Sequence, residues 1–186
     1  MRALRRTLLI CLLAPAAVAL AQGNPLSAYN KSVYGGVKGL LLRSAEIMPE
    51  ESYGFRPADA VRTFGQLIGH VADAQYTICS IALGEKGPAP NVEKTKTSKA
   101  DLIAALKEAF AYCDRAYDSM TDAAGSRMVN LFGSEAPRLG VLTVNNLHNF
   151  EHYGNLVTYL RLKSIVPPTS EPACPAIAGA IMCLWA

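Results

Sequence analysis

The chain has 186 residues, of which 51% are apolar and 18% are charged, with a formal charge of +3. Its length is typical of one domain, and its apolar content is too high for a disordered chain. Arg2, Arg5 and Arg6 account for the whole surplus, since the remainder holds 15 basic residues (18 minus 3) and 15 acidic residues, so we expect no nucleic-acid partner.

An apolar segment follows these arginines, from Leu8 to Leu20. It is shorter than the ~20 residues that span a bilayer, and it ends in Ala19-Leu20-Ala21, the A-x-A pattern of a signal-peptidase site. We therefore predict that residues 1–21 are a cleaved signal peptide. The protein would then be secreted or periplasmic, with no membrane segment after cleavage.

Helical patterns dominate the rest of the chain, and no strand alternation with hairpin turns is evident. The first predicted helix runs from Pro25 to Met48, with Asn24 as its N-cap and proline in its first turn. Residues 50–62 contain Pro57 and are predicted to be a connector.

The second predicted helix begins at Thr63, which can form a capping box with Gln66, and ends at Gly84. The third begins after Ser98, whose hydroxyl can cap it, and continues to about Thr121. The apolar residues of the third helix follow a spacing of 3.6 residues, which favours one buried face.

Residues 123–135 are predicted to be a loop or short turn. The fourth predicted helix starts near Pro137 and continues through Lys163. Four long helices joined by loops predict an all-α fold, a four-helix bundle over residues 22–168. An irregular apolar tail, rich in proline, alanine and glycine, follows at residues 169–186.

In an oxidising compartment the four cysteines of the mature chain allow three disulfide pairings, and their spacing does not choose among them. Cys79 and Cys113 fall on predicted helices and are interpreted as small core residues. Cys174 and Cys183 flank a segment that a disulfide would close at little cost. No spacing typical of a zinc finger is present.

The chain has three histidines, and two of them, His148 and His152, lie four residues apart on the fourth predicted helix. This spacing places both imidazoles on one face, one turn apart, as in helices that offer two nitrogens to one metal ion. His70 lies on the second predicted helix. A third nitrogen from a facing helix would complete a three-histidine site with open positions for water or substrate.

The helix faces around these histidines carry small, apolar and hydrogen-bonding side chains and no lysine or arginine, which favours a cation. They comprise Val141, Asn145, Asn155 and Tyr159 beside the pair, and Gln66, Asp73, Ala74 and Thr77 beside His70. Asp73 is the first candidate to accept the second ring N–H of His70 or to act as an occasional fourth ligand. Glu151 and Tyr159 join it as candidates for a general base.

Residues 148–152 also match H-x-x-E-H, the signature of inverted zinc peptidases. Those enzymes take a further carboxylate ligand well downstream, and here Glu171 is the only acidic residue that follows. We therefore disfavour a peptidase.

The sequence resembles the DinB/YfiT-like superfamily of metal-dependent hydrolases and thiol transferases. The resemblance covers nearly all of the chain after the signal peptide. Its pieces are residues 47–53 followed by Phe55-Arg56-Pro57, residues 61–70 ending in Gly69-His70, and residues 148–161 leading to Val166-Pro167-Pro168.

This resemblance implies an up-down-down-up bundle, expected as a homodimer. It implies a divalent metal ion, zinc or nickel, held by His70, His148 and His152. The implied partner is a small-molecule substrate, with a low-molecular-weight thiol as one candidate, and the implied activity is metal-dependent hydrolysis or thiol transfer. Two alternatives stay open, a non-catalytic exported sensor or carrier that binds a metal or ligand, and a structural dimer without metal.

Overall fold

The computed structural model describes residues 23–171, and this part of the chain is mostly helical. The predicted signal peptide and residues 172–186 of the predicted tail lie outside the described residues. The helices and strands in chain order are α1 Pro25–Ile47, α2 Phe64–Leu83, α3 Val92–Thr95, α4 Lys99–Asp118, α5 Asp122–Gly125, β1 Met128–Leu131, β2 Ser134–Pro137 and α6 Arg138–Leu162. Two 3-10 turns, Glu50–Ser52 and Pro168–Ser170, complete it.

The ends of α2 follow directly from its sequence. The hydroxyl of Thr63 accepts from the Gln66 N–H at 3.2 Å, and the Gln66 side chain accepts from the Thr63 N–H at 2.8 Å, as the capping box predicts. At the other end Gly84 adopts a φ of 75°, a left-handed conformation that glycine enters without a Cβ penalty. Ser98 likewise caps α4 by accepting from the Asp101 N–H.

Asn24 is the N-cap residue of α1, as predicted, but the expectation that its side chain accepts from the first turn is wrong. Asn24 makes no side-chain bond to the start of α1, and its amide oxygen instead accepts from the Asp122 N–H at 2.9 Å. The Asp122 carboxylate accepts from the N–H groups of Leu26 and Ser27, at 3.1 and 2.8 Å. A carboxylate distant in sequence thus takes the capping position, where the positive end of the helix dipole favours an anion.

The prediction that residues 123–135 are a loop or short turn, without strands, is also wrong. This region contains α5 and an antiparallel hairpin of β1 and β2, with Leu131 opposite Ser134. Phe132 and Gly133 form the two-residue turn with φ values of 51° and 92°, the left-handed pair that a tight hairpin needs. Phenylalanine rarely adopts this conformation, so the sequence carries no recognisable turn signal.

The four long helices pack in pairs around one apolar core. The start of α1 contacts the end of α4 through Lys31 and Asp118, so these two helices are antiparallel. Helices α1 and α6 are parallel, since Asn30 near the start of α1 donates to Thr143 near the start of α6. Helix α2 is antiparallel to α6 and parallel to α4.

A disulfide joins Cys79 of α2 to Cys113 of α4. Both residues are fully buried in the core, which confirms their interpretation as core residues on helices. The pairing, which the sequence left open, closes a loop across the helix linker. Cys174 and Cys183 lie outside the described residues.

Within residues 23–171, none of the helices combines the length and the apolar character that crossing a membrane requires.

We expect Thr63→Ala to lower the free energy of unfolding by about 1 kcal/mol, because it removes the capping box of α2. Thr77→Ala is the matched control, since Thr77 is exposed on the same helix and bonds only to the carbonyl of Asp73 one turn earlier. Urea unfolding followed by circular dichroism measures both. Equal effects of the two substitutions would contradict the capping account.

Reduction of the disulfide should lower the free energy of unfolding by about 3 to 5 kcal/mol, because the cross-link restricts the unfolded chain. Urea unfolding with and without reductant tests this in a variant whose Cys11, Cys174 and Cys183 are replaced by serine. Adding Cys79→Ala and Cys113→Ala gives the control, which should not respond to reductant. Two titratable thiols in the unreduced, unfolded protein would contradict the pairing.

Candidate metal centre

The packing of α2 against α6 brings the three histidines together. The Nε2 atom of His148 lies 3.2 Å from Nε2 of His70 and 3.1 Å from Nε2 of His152. His152 is buried, with 6% of its surface exposed, and the other two are partly buried. One ligand atom from each residue can be chosen so that all three lie within 4.8 Å of one another. Nitrogens from two separate segments therefore face one common point.

The ring of His70 is oriented by a carboxylate. Its Nδ1 atom lies 3.3 Å from Oε2 of Glu93, within ion-pair distance. A proton on Nδ1, beside this carboxylate, would leave the lone pair on Nε2, the nitrogen that faces His148. This carboxylate–histidine arrangement is the usual support of a metal-binding imidazole.

Burial keeps the two histidines of α6 neutral. It lowers the pKa of His152 to about 3, with the neighbouring His148 and His70 acting in the same direction. Burial, followed by the neighbouring His70, also lowers the pKa of His148. Neutral imidazole is the form that binds a metal ion. At neutral pH, protons would therefore compete little with a metal ion for these two rings.

The residues fit a metal ion by donor type and spacing. Two ligands bound at the usual zinc–nitrogen distance in tetrahedral geometry lie about 3.3 Å apart, close to the observed nitrogen separations. In addition, Nε2 of His148 contacts two ring nitrogens at once, and a single proton cannot hydrogen-bond well to both. A cation at the common point would satisfy all three lone pairs.

Asp73 does not take the role that the sequence suggested. Its two carboxylate oxygens accept from the N–H groups of Val92 and Glu93, at 2.8 and 3.0 Å, and so hold the start of α3. Asp73 therefore acts on His70 indirectly, by positioning the helix that carries Glu93. Sequence reasoning missed Glu93 because it lies 23 positions from His70, in a linker rich in proline.

Gly69 allows α3 to lie this close to α2. A Cβ atom at position 69 would lie 2.6 Å from Cα of Glu93 and 2.8 Å from its N atom. Both are backbone atoms, so a side chain would have to push α3 away. The residue before His70 is thus part of the arrangement that places the carboxylate.

A buried amide network lies beneath the histidines. Gln75 of α2 donates to Oδ1 of Asn149 at 2.7 Å, and its own oxygen accepts from Nδ2 of Asn145 at 3.0 Å. Asn145 also lies 3.3 Å from the hydroxyl of Tyr117, which belongs to α4. The prediction that Asn145 faces the same way as the histidine pair agrees with this geometry, but its contacts are to the core.

A cavity of about 680 Å³ opens beside the site. Its walls include His152, Asn155 and Tyr159 of α6, together with Arg62 and Glu93. The side-chain amide nitrogen of Asn155 is 3.4 Å from Nδ1 of His152, and the Tyr159 hydroxyl donates to the carbonyl of Arg62 at 2.6 Å. The cavity thus gives a small molecule access to the histidine that is most buried.

The other residues singled out by pattern are placed elsewhere. Gln66 serves the capping box and also lines the cavity, whereas Val141 lies in the core and Thr77 is exposed. Glu171, the carboxylate that an inverted zinc peptidase would need, forms an ion pair with Arg43 at 2.9 Å.

A family model of the DinB superfamily matches residues 37–156. The chain belongs to the DinB superfamily. No curated protein matches it significantly.

Solved structures show the same fold. A DinB-like protein from Bacillus cereus has a TM-score of 0.66 at 17% identity, covering 75% of this chain and 93% of its own. A DinB-like protein from Bacillus subtilis has a TM-score of 0.60 at 19% identity, covering 76% and 92%. A mycothiol-dependent maleylpyruvate isomerase has a TM-score of 0.60 at 20% identity, covering 71% of this chain and 60% of that chain.

We expect Glu93→Ala to change the tautomer of the neutral His70 ring in the metal-free protein. With the carboxylate present, Nδ1 should carry the proton; without it, that preference is lost. Nitrogen chemical shifts of the His70 ring measure the tautomer directly. Glu151→Ala removes another carboxylate of the cavity and should leave the tautomer unchanged. An unchanged His70 spectrum in Glu93→Ala would contradict the role of Glu93 in setting the tautomer.

Proposed function

We propose that this DinB-superfamily protein holds a divalent metal ion, zinc or nickel, between His70, His148 and His152. We further propose that it acts as a metal-dependent hydrolase or thiol transferase on a small molecule. The observation that carries the proposal is the convergence of three Nε2 atoms on one point. The directions of the four long helices support the finer fold assignment, an up-down-down-up four-helix bundle.

A bound divalent ion would supply Lewis acidity and stabilise the deprotonated form of a water or thiol near neutral pH. The chain contributes the neutral imidazoles that hold it and the carboxylate of Glu93 that orients His70. His152 also forms part of the cavity wall. The same side chain therefore belongs to the proposed metal site and to the cavity that would hold the substrate.

Contacts reduce the three candidate bases to one. Asp73 is occupied by two backbone N–H groups, and the Tyr159 hydroxyl donates to a backbone carbonyl. Glu151 lines the cavity and is exposed to solvent, so its carboxylate is free to accept a proton from a reacting group and release it to water. We assign it the role of proton acceptor within this proposal.

The fold likeness to a mycothiol-dependent isomerase supports a thiol as one substrate class. That likeness concerns the fold, and this chain spans 60% of the isomerase chain. The second candidate is a non-catalytic bundle that carries or senses a metal or small ligand. In its favour, Asp73 and Tyr159 are occupied, which leaves Glu151, of the three candidate bases, as the one proton acceptor that catalysis could use.

Two further expectations belong to this proposal. The buried disulfide between α2 and α4 supports export, because such bonds persist in oxidising compartments. Large exposed apolar side chains, including Leu26 and Tyr29 on α1 and Leu147 on α6, support a homodimer, since a second copy would cover them.

We expect the purified protein to bind one zinc or nickel ion per chain and His148→Ala to abolish stoichiometric binding. Elemental analysis and calorimetric titration measure the stoichiometry, with circular dichroism to confirm folding. Leu162→Ala is the control, because this side chain at the end of α6 is 57% exposed and lies off the site. Retention of stoichiometric metal by His148→Ala would remove the proposed ligand set.

Assays on the loaded protein separate the two candidates. Hydrolysis of esters or amides, or thiol conjugation, that disappears in His148→Ala supports an enzyme. Full metal binding without turnover supports a carrier or sensor.

A further inference from the structure

Arg62 is fixed at the wall of the cavity beside the histidines. Its Nε donates to Oε1 of Glu93 at 2.9 Å, while Oε2 of the same carboxylate faces His70. Its backbone carbonyl accepts from the Tyr159 hydroxyl. The side chain is 43% exposed and lines the same cavity as His152. Arg62 is therefore held in place without being buried.

Most of the guanidinium group is still available. The group has five N–H donors, and the contact with Glu93 uses the one on Nε. The donors on the two Nη atoms have no hydrogen-bond acceptor among residues 23–171. These atoms form a planar fork that matches the two oxygens of a carboxylate, and pre-ordering by Glu93 reduces the entropy that binding would cost.

One basic and two acidic side chains from the described part of the chain line the cavity, so the free donors of Arg62, and not a net positive charge, favour an anion at this position. Among the described residues that line it, Arg62 is the one basic side chain. The Glu93 carboxylate is already paired with Arg62 and His70, and Glu151 is exposed, where solvent and salt screen its charge. A divalent ion between the histidines would add two positive charges nearby.

We infer that Arg62 is a substrate-binding residue and that this cavity takes a small molecule carrying a carboxylate, with its reacting group directed toward the three histidines. The second part rests on the proposed function, because it assumes a metal-centred reaction. The recognition of the carboxylate does not, since the fork of Arg62 exists without the metal.

A purely structural role is the rival explanation, in which Arg62 serves only to hold Glu93. The two explanations differ in what Arg62→Gln does to ligands with and without a carboxylate. Loss of a binding residue affects the charged ligand alone. Loss of a structural support affects both ligands and the metal in equal measure.

The first test uses the metal-free protein. We expect propanoate, at constant ionic strength, to shift the Nε–H resonance of Arg62 in a saturable way, while its neutral isostere propanamide does not. Arg56→Gln is the matched control and should leave this shift unchanged. Arg56 lies in the same connector, pairs with Asp59 and does not line the cavity. A shift that propanamide reproduces, or no saturable shift at all, would overturn the inference.

The second test uses the zinc-loaded protein and measures the dissociation constants of 3-mercaptopropanoate and 3-mercaptopropanamide by calorimetry. The wild type and Arg56→Gln should prefer the carboxylate by about 10-fold or more, as a charge-assisted bond implies. Arg62→Gln should bind both thiols with the affinity that the wild type shows for the amide. Arg62→Lys keeps the charge but not the fork and should retain part of the preference.

An unchanged preference in Arg62→Gln would overturn the inference, and so would a parallel loss for both thiols. Failure of the chain to bind zinc would instead contradict the proposed function. In that case the propanoate titration of the metal-free protein still decides the role of Arg62.

Discussion

Hydrogen bonds between buried amides fix how α2 lies against α6, and the candidate site depends on that register. Gln75 bonds to both Asn145 and Asn149 from the centre of the interface. Apolar contacts alone tolerate sliding, whereas sliding here would break both bonds and leave further buried amide atoms unpaired, in addition to Oδ1 of Asn145 and Nδ2 of Asn149, which have no partner among residues 23–171. These bonds therefore favour one alignment. A shift of α6 by one residue would rotate the imidazoles of His148 and His152 by about 100° away from the common point. The polar core thus has a positional role as well as an energetic one.

The site is built in layers from segments far apart in sequence. Asp73 holds the start of α3, α3 presents Glu93, and Glu93 orients His70 on one side and Arg62 on the other. Gly69 permits the close approach on which this chain of contacts relies. One carboxylate from a four-residue helix therefore links the proposed metal ligand to the proposed substrate contact.

Features set by local chemistry could be predicted from the sequence. The ends of α2 follow from its capping box and from Gly84, and the face shared by His148 and His152 follows from helical spacing. Features that depend on tertiary contact could not. Neither the pairing of Cys79 with Cys113 nor the cap of α1 by a distant carboxylate has a local signal.

The role of Glu93 was out of reach for the same reason, since nothing in a short linker segment reveals which helix it packs against. The hairpin was missed because a strand of four residues is too short for periodicity, and Phe132 occupies a conformation that its residue type disfavours.

The disulfide joins α2 to α4 and leaves α6 without such a cross-link to either helix. Two of the three imidazoles lie on α6, outside the covalently joined pair, so outward motion of α6 would dismantle the triad while α2 and α4 stay tethered. Release of the proposed metal ion would then need only a partial opening of the molecule.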